Sequence, residues 1–250
     1  MNLLHFVDKK IPEVRITSDM MAIFNSPFKE ISPQRVKLLY VFNCPNLEKI
    51  PIIDGLEALY CIECPNLKEI PVINSLKSLT IRRCNNVEKI PEAMRLISLV
   101  IELPAIKEVP NIRGLLKLVV YSDFITSVPL IEGLKILHIY QCYALTKLPL
   151  ILGLRELECF YCPELEEIPN FGTMRYLVCI ECPKLKIVHP TVSDPRFAHC
   201  FALDEKNVKQ CDVEREDWFE DARILKLCTD YESNYDITET KYPMPDVGHW

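Results

Sequence analysis

Cysteine is the residue of this chain with the widest chemical range, and the sequence contains twelve of them. Two Cys-x-x-Cys pairs on neighbouring segments are the raw material of a four-cysteine zinc site, and paired thiols also form disulfides. A buried thiol serves equally well as a small apolar core residue. We favour the core interpretation, expect no metal and no cofactor, and keep zinc binding and a redox role as alternatives. The three pairs are Cys61/Cys64, Cys159/Cys162 and Cys179/Cys182.

Two further features bear on catalysis. Cys228-Thr229-Asp230 places a thiol two residues before a carboxylate in the C-terminal part of the chain. A nucleophilic thiolate needs electropositive surroundings, and this part of the chain is acidic. His138 has no Ser, Cys or second histidine in register with it, so we expect a solvated strand histidine. The sequence therefore predicts no catalytic residues and a protein that is not an enzyme.

Charge is distributed unevenly along the 250 residues. Residues 191–250 contain 7 Lys/Arg and 14 Asp/Glu, whereas residues 1–190 contain 22 and 21, so a nearly neutral body precedes an acidic end. Neither part has the basic excess that binds nucleic acid or anionic lipid. No stretch approaches the ~18 apolar residues of a membrane span, and the N-terminus does not resemble a secretory signal. We expect a cytoplasmic protein with no nucleic-acid partner and no membrane partner.

An internal repeat of about 20 residues organises the middle of the chain. Its pattern is L-x-x-L-x-I/V/C-x-x-C-P-x-L-x-x-I/V/L-P-x-I-x-G. The fourth position is leucine in every copy, and the sixth is Val, Ile or Cys. The copies that begin at Leu96 and Leu115 are one residue shorter than the others. The eight copies begin at Val36, Leu56, Leu76, Leu96, Leu115, Leu134, Leu154 and Met174.

The spacing within one repeat predicts its conformation. Apolar residues at positions four and six alternate with variable ones, which is typical of a short strand with one buried face. Proline at position sixteen fixes φ and lacks an N–H, so the return to the next strand should be extended and not helical. A repeat buries about six apolar side chains at ~1.5–3 kcal/mol each, whereas ordering its backbone costs on the order of 20–40 kcal/mol. The repeats can therefore fold only when stacked, as a β-rich solenoid with one parallel sheet.

The pattern resembles the leucine-rich repeat signature, L-x-x-L-x-L-x-x-C/N-x-L, over residues 36–190. The short Ile-Pro-x-Ile return is similar to that of short-repeat bacterial effectors, and the Cys-Pro variant is similar to repeat proteins encoded by giant viruses of amoebae. The resemblance implies a right-handed superhelix with a concave parallel sheet and an extended, non-helical convex side. It also implies binding of a protein partner through the concave face, in the host cytoplasm if the chain is viral.

Position nine of the repeat is the main site of cysteine. In leucine-rich repeats this residue points inward and hydrogen bonds the backbone of the turn after the strand. The two shortened repeats are expected to lack the position, which leaves Leu103 and Ser122 at position eight, on the face away from the core. The cysteines at position nine are Cys44, Cys64, Cys84, Cys142, Cys162 and Cys182.

Positions three, five, seven and eight are expected to project away from the core. At position seven Tyr121, Tyr140 and Phe160 fall on consecutive strands and should form an aromatic row, while Arg82 and Glu102 should pair across neighbouring strands. Aromatic residues and arginine on a rigid surface often anchor interfaces, although aromatic residues also favour strands for their own sake. The predicted partner-binding residues are Tyr60, Arg82, Glu102, Tyr121, Tyr140, Phe160, Tyr161 and Tyr176.

Both ends of the chain depart from the pattern. Residues 1–35 predict a degenerate first coil that caps the core, because Phe28-x-x-Ile31-Ser-Pro33 matches only the second half of a repeat. Residues 191–250 predict a C-terminal cap and an acidic tail. The cap would contain a helix from about Asp212 to Cys228, where apolar residues recur at helical spacing. The sequence thus divides into a cap over 1–35, eight repeats over 36–190 and a helical cap with its tail over 191–250.

The leading hypothesis is a non-catalytic monomer that binds an unidentified protein through its sheet. The alternative is a ubiquitin-ligase-related effector or a substrate adaptor. Short-repeat bacterial ligases carry a Cys-x-Asp motif like that at Cys228, but within a large helical domain for which this chain has no counterpart. A structural component of a viral particle is a third possibility.

Overall fold

The computed structural model describes residues 12–91, 95–172, 174–188 and 196–203. All of them lie in one compact unit, Ile11–Cys211. The described residues form thirteen strands and no helix. The strands are β1 (Glu13–Ile16), β2 (Met20–Phe24), β3 (Leu38–Phe42), β4 (Ala58–Ile62), β5 (Ser78–Arg82), β6 (Ser98–Glu102), β7 (Lys117–Tyr121), β8 (Ile136–Tyr140), β9 (Glu156–Phe160), β10 (Glu167–Ile168), β11 (Tyr176–Ile180), β12 (Ile187–Val188) and β13 (Arg196–Ala198).

One eleven-stranded sheet runs along the whole described unit, in the order β1-β2-β3-β4-β5-β6-β7-β8-β9-β11-β13. Its strands are parallel except for the antiparallel pair β1–β2 at the N-terminal edge. Equivalent positions of successive repeats pair directly, as Leu39 does with Leu59 and Leu59 with Leu79. The prediction of a β-solenoid of stacked turns of about 20 residues, with one parallel sheet, is confirmed.

The core lies behind the sheet and is continuous along the solenoid. The leucines at position four of the eight repeats are at most 2% exposed. Residues at positions one, six, nine, twelve, fifteen and eighteen complete the same buried cluster. Because a strand alternates its side chains, positions four and six enter the core while positions three, five and seven form the opposite face of the sheet. We call that opposite face the outer face.

The return segments after the strands contain no helix in the described part of the chain, as the proline at position sixteen predicts. They also pair with one another in places, which the sequence pattern did not indicate. Parallel bridges join Lys49 to Glu69, Ser127 to Lys147 and Lys147 to Glu167, and β10 pairs in parallel with β12. All of these residues except Ile168 and Val188 occupy position fourteen, so this position forms a second, interrupted ladder opposite the main sheet.

The shortened repeats lack position eight and not position nine, so the prediction that they lack position nine was wrong. In the full-length repeats the residue at position eight has a positive φ, for example 55° at Glu63 and 54° at Gln141. Leu103 and Ser122 do not have a positive φ, and they are only 1% and 2% exposed. They fill the inward position that cysteine holds elsewhere, because deletion of the left-handed residue lets the chain turn directly into the core.

The sheet extends beyond the eight repeats at both ends. At the N-terminal end β2 pairs in register with β3, and at the C-terminal end β13 pairs in register with β11. Phe197, Cys200 and Leu203 are buried at positions six, nine and twelve of this additional coil. The sequence Phe197-Ala-His-Cys200-Phe-Ala-Leu203 matches positions six to twelve of the repeat, and the sequence analysis did not recognise it as a further coil. The helix predicted over 212–228 and the tail over 231–250 lie outside the described residues.

The described part of the chain contains no helix that is long and apolar enough to cross a bilayer.

Candidate functional site

The predicted aromatic row is present on the outer face. Strand register places Tyr121 beside Tyr140 and Tyr140 beside Phe160. The ring centroids of Tyr121 and Tyr140 are 4.4 Å apart and the rings are stacked, with an interplanar angle of 20°. Those of Tyr140 and Phe160 are 5.3 Å apart and tilted by 37°. Offset and tilted contacts of this kind add attraction beyond the area that they bury.

Tyr140 is the most enclosed member of the row, at 6% exposure. Its hydroxyl donates a hydrogen bond to the carboxylate of Glu158 on β9. Burial raises the pKa of Tyr140, and the negative charge of Glu158 adds to that effect. The phenol therefore stays protonated and acts as a hydrogen-bond donor. Tyr121 and Phe160, on either side of it, are half-buried.

Tyr161 and Tyr176 lie at the same end of the outer face, and both are half-buried. Tyr161 follows Phe160 at position eight and adopts a φ of 55°. Tyr176 begins β11, where its register partner on β9 is Glu156. These residues and the row form one aromatic group on β7, β8, β9 and β11.

Tyr60 belongs to a different group at the N-terminal end of the sheet. Its ring centroid lies 6.0 Å from that of Tyr40, whose centroid is in turn 5.6 Å from that of Phe24. Strands β5 and β6, whose position-seven residues are charged, separate this group from the aromatic row. Phe24 was missed because β2 was not recognised as a full coil, although its register with Phe42 places it at position seven.

The charged residues between the two aromatic groups form the predicted pair and extend it. Arg82 on β5 hydrogen bonds through Nε to the carboxylate of Glu102 on β6. Arg83 contacts the same carboxylate at 3.1 Å and reaches Glu63 of the preceding coil at 3.1 Å. Three successive coils are thus linked by alternating charges. The expectation that Arg82 and Glu102 pair across strands is confirmed.

His138 is buried, and the expectation of a solvated histidine was wrong. It sits in the middle of β8 and is 1% exposed. Among the described residues neither ring nitrogen has a hydrogen-bond partner. Its Nδ1 lies 3.7 Å from a carboxylate oxygen of Glu158, which is beyond ordinary hydrogen-bond distance. Burial, and secondarily the positive charge of Lys117, lower the pKa of His138 to about 3, so the ring is neutral at physiological pH.

The reason for this burial lies in the position within the strand. Position five is the central outer-face residue, with neighbours on both adjacent strands and at positions three and seven of its own. The ring of Tyr140 meets the imidazole edge-on at a centroid distance of 6.1 Å. Val119 and Glu158, the register partners of His138, are buried as well, at 5% and 6% exposure. Alternation alone does not distinguish such an enclosed position from a solvated one.

The cysteines line the core and form a ladder at position nine. The thiol of Cys84 donates to the carbonyl of Arg82 at 3.4 Å and to the carbonyl of Cys61, in the preceding coil, at 3.5 Å. Cys162, Cys182 and Cys200 repeat this arrangement. In the shortened repeat Ser122 also supplies a donor at position nine, but its hydroxyl reaches other carbonyls of the preceding coil, those of Ile106 at 2.7 Å and Pro104 at 3.3 Å. The expectation that the cysteines are buried is confirmed for the ten that the structure describes.

Burial also controls the reactivity of these thiols. It raises the pKa of Cys61 and raises that of Cys142 to about 12, so both remain protonated at neutral pH. A protonated, enclosed thiol is neither a nucleophile nor a metal ligand. Within the described ranges no group of three or more His, Cys, Asp or Glu residues is arranged to hold a metal ion. Cys228, the thiol of the Cys-x-Asp tripeptide, lies outside those ranges.

The site that emerges is thus a surface of aromatic and paired charged side chains, on a sheet whose interior is held by leucine and cysteine. Known proteins supply no further assignment. The chain matches no protein-family model, no curated protein and no solved structure.

Proposed function

We propose that the chain is a leucine-rich repeat protein that binds a protein partner through the outer face of its sheet, without catalysing a reaction. The observation that carries the proposal is the contact of Tyr121, Tyr140 and Phe160 across three consecutive strands. The leucine-rich repeat type is supported by the sequence pattern together with one short parallel strand and one inward-facing thiol in most coils.

The aromatic row suits binding for energetic reasons. An interface anchor must place a large contact area without losing much side-chain freedom on association. Tyr121 and Phe160 are braced against Tyr140, whose hydroxyl is tied to Glu158, so their conformations are largely set before a partner arrives. Aromatic residues in such positions commonly dominate the free energy of binding, with single alanine substitutions costing about 2 kcal/mol or more.

The absence of catalysis is part of the same proposal. The described thiols are buried, and burial keeps those of Cys61 and Cys142 protonated. His138 is neutral and enclosed, and its nearest carboxylate already accepts a hydrogen bond from Tyr140. These features support a binding role. The resemblance of the Cys-Pro repeats to giant-virus proteins further suggests a partner in the host cytoplasm, with the sheet as the concave face of a right-handed superhelix.

Site-specific photo-crosslinking tests this function. Benzoylphenylalanine placed at Tyr121 or at Phe160 is expected to crosslink one discrete protein in extracts of the cells that make the chain. The matched control carries the same group at Leu150, which is 51% exposed on a return segment. A product that forms from the sheet positions and not from Leu150 supports the proposal.

Alanine substitution then measures the contribution of the surface. We expect Tyr121→Ala and Phe160→Ala each to weaken binding of the captured protein by about tenfold or more, with Leu150→Ala within about twofold of the original chain. Crosslinking that is equal at all three positions, or binding that survives both sheet substitutions, would contradict the proposal.

A further inference from the structure

We infer that the partner carries an acidic peptide segment that binds a row of three cations at the start of the same strands, an inference that rests on the proposed function. The row consists of Lys135, Arg155 and Arg175, which occupy position two of three consecutive repeats and lie immediately before β8, β9 and β11. We call it the cationic row.

Backbone hydrogen bonds fix the spacing of the cationic row. The amide of Arg155 donates to the carbonyl of Lys135 at 2.9 Å, and that of Arg175 donates to the carbonyl of Arg155 at 2.7 Å. The three residues are therefore stacked directly on one another, about 5 Å apart, as neighbouring strands are. Arg155 and Arg175 are exposed and Lys135 is half-buried.

The row is an exception to the charge pattern of this solenoid. Position thirteen reads Glu48, Lys68, Glu88, Lys107 in four successive repeats, and position fourteen reads Lys49, Glu69, Lys89, Glu108. Because equivalent positions are neighbours, alternation pairs opposite charges, as between Glu48 and Lys68 at 3.3 Å. In the repeats at Leu134, Leu154 and Met174, position two instead stacks three charges of one sign.

The cations at position two of the N-terminal repeats differ, because they form ion pairs. Lys37 pairs with Asp19 at 3.3 Å, and Lys77 pairs with Glu57 at 2.9 Å. In the described part of the chain neither Arg155 nor Arg175 forms an ion pair, and Lys135 donates only to the carbonyl of Gly153, at 3.2 Å. The carboxylates nearest in sequence, Glu132 and Glu156, form no ion pair with the row either. Intramolecular partners therefore neutralise the N-terminal cations and leave the cationic row unbalanced.

An acidic peptide is the ligand that suits this arrangement. The strands that begin just after Lys135 and Arg155 end at Tyr140 and Phe160, so the cationic and aromatic rows run side by side, roughly 16 Å apart. One protein segment lying across the coils can reach both rows, with carboxylates over the cations and apolar groups over the rings. Mutual repulsion of three adjacent cations is relieved when carboxylates bind, which favours the complex over the free protein.

Fluorescence anisotropy with a fluorescein-labelled oligoglutamate peptide tests the inference on the full chain. The peptide is expected to bind in low salt and to dissociate as salt is added, whereas an oligoglutamine peptide should not bind. The double variant Arg155→Glu/Arg175→Glu should weaken oligoglutamate binding by about tenfold or more. The variant Arg155→Lys/Arg175→Lys should retain it.

The matched control is Lys37→Glu/Lys77→Glu, which changes the net charge equally at the same repeat position in the N-terminal half. It should leave oligoglutamate binding within about twofold of the original chain. Thermal melting verifies that each variant folds. An equal loss in both double variants, or no binding of oligoglutamate in low salt, overturns the inference.

Two further probes separate this inference from other ligands and from the proposed function. Duplex DNA or phosphatidylserine vesicles that bind more tightly than oligoglutamate, and depend on Arg155 and Arg175, would overturn the assignment to an acidic peptide. If oligoglutamate fails while the partner crosslinked at Tyr121 still depends on the aromatic row, only the acidic-segment inference is lost. If the aromatic row also proves dispensable, the proposed function fails with it.

Discussion

The thiol of Cys182 lies 3.6 Å from the carbonyl oxygen of Cys159, so a side chain of one coil is hydrogen bonded to the backbone of the coil before it. The same thiol lies 3.5 Å from the carbonyl of Ile180 within its own coil. Each position-nine cysteine with such a pair of contacts thus supplies a donor to the strand of its own coil and to that of the coil before it. This ladder of hydrogen bonds joins neighbouring coils, in addition to the packing of their leucines.

Substitution of Cys182 measures that contribution. Cys182→Ala should lower the free energy of unfolding by about 1–3 kcal/mol, because it removes the thiol that contacts the carbonyls of Cys159 and Ile180 and opens a small cavity. Cys182→Ser, which keeps a donor as Ser122 does in the shortened repeat, should cost less than Cys182→Ala. Urea unfolding of the two variants compares them. A serine variant no more stable than the alanine variant would show that the hydrogen bonds at position nine do not contribute to stability.

The left-handed residues at position eight permit a second test. Gln141 is exposed with a φ of 54°, a conformation that β-branched residues tolerate poorly. Gln141→Val should therefore destabilise the protein by about 1–2 kcal/mol, whereas Gln141→Gly should be neutral or stabilising. Thr126→Val, at an exposed residue without a positive φ, is the control and should change stability by less than about 0.5 kcal/mol. Equal effects of valine at the two positions would argue against backbone strain at Gln141.

The buried histidine predicts a specific pH dependence of stability. The pKa of His138 is lowered from 6.5 to about 3 in the folded protein, so between these values the unfolded chain binds more protons. Stability contributed by the neutral ring is complete above pH 6.5 and is lost as the pH falls toward 3, by roughly 2 kcal/mol at pH 5. The titratable groups around the ring are Lys117, Tyr140 and Glu158, and all three are unchanged in the variant described next.

Replacement of the ring isolates its share of that dependence. His138→Leu should remove the loss between pH 7 and 5 that the original chain shows beyond its carboxylate titrations. Urea unfolding of both proteins at the two pH values gives the difference. Identical slopes for the two proteins would mean that His138 is protonated in the folded state or is accessible to water.

Two leucines separated by one residue test where the buried core begins at β7. Leu118 is fully buried at position four, whereas Leu116 at position two is 39% exposed. Leu118→Ala should lower the free energy of unfolding by about 2–5 kcal/mol, and Leu116→Ala by less than about 1 kcal/mol. Chemical denaturation measures both. The opposite order would mean that position two, and not position four, lies in the core.

Periodicity in the amino-acid sequence was enough to predict the repeating architecture. Every copy has a leucine at position four and an apolar residue two positions later, and most have a proline at position sixteen. Together these features predict strands that stack in parallel and returns that are extended. For the same reason the aromatic row and the pair of Arg82 with Glu102 were predictable, because equal positions in neighbouring coils must lie side by side. These features can be predicted because they depend only on the position of each residue within its repeat.

Features that depend on neighbours outside one repeat could be seen only in the folded chain. Whether His138 is solvated depends on the residues of β7 and β9, and whether Leu103 points inward depends on which residue of the shortened turn is missing. The additional coil at Phe197 became visible only through its pairing with β11, because its return segment does not follow the pattern. Burial and backbone conformation at these positions are set by packing between coils, which a one-dimensional pattern does not contain.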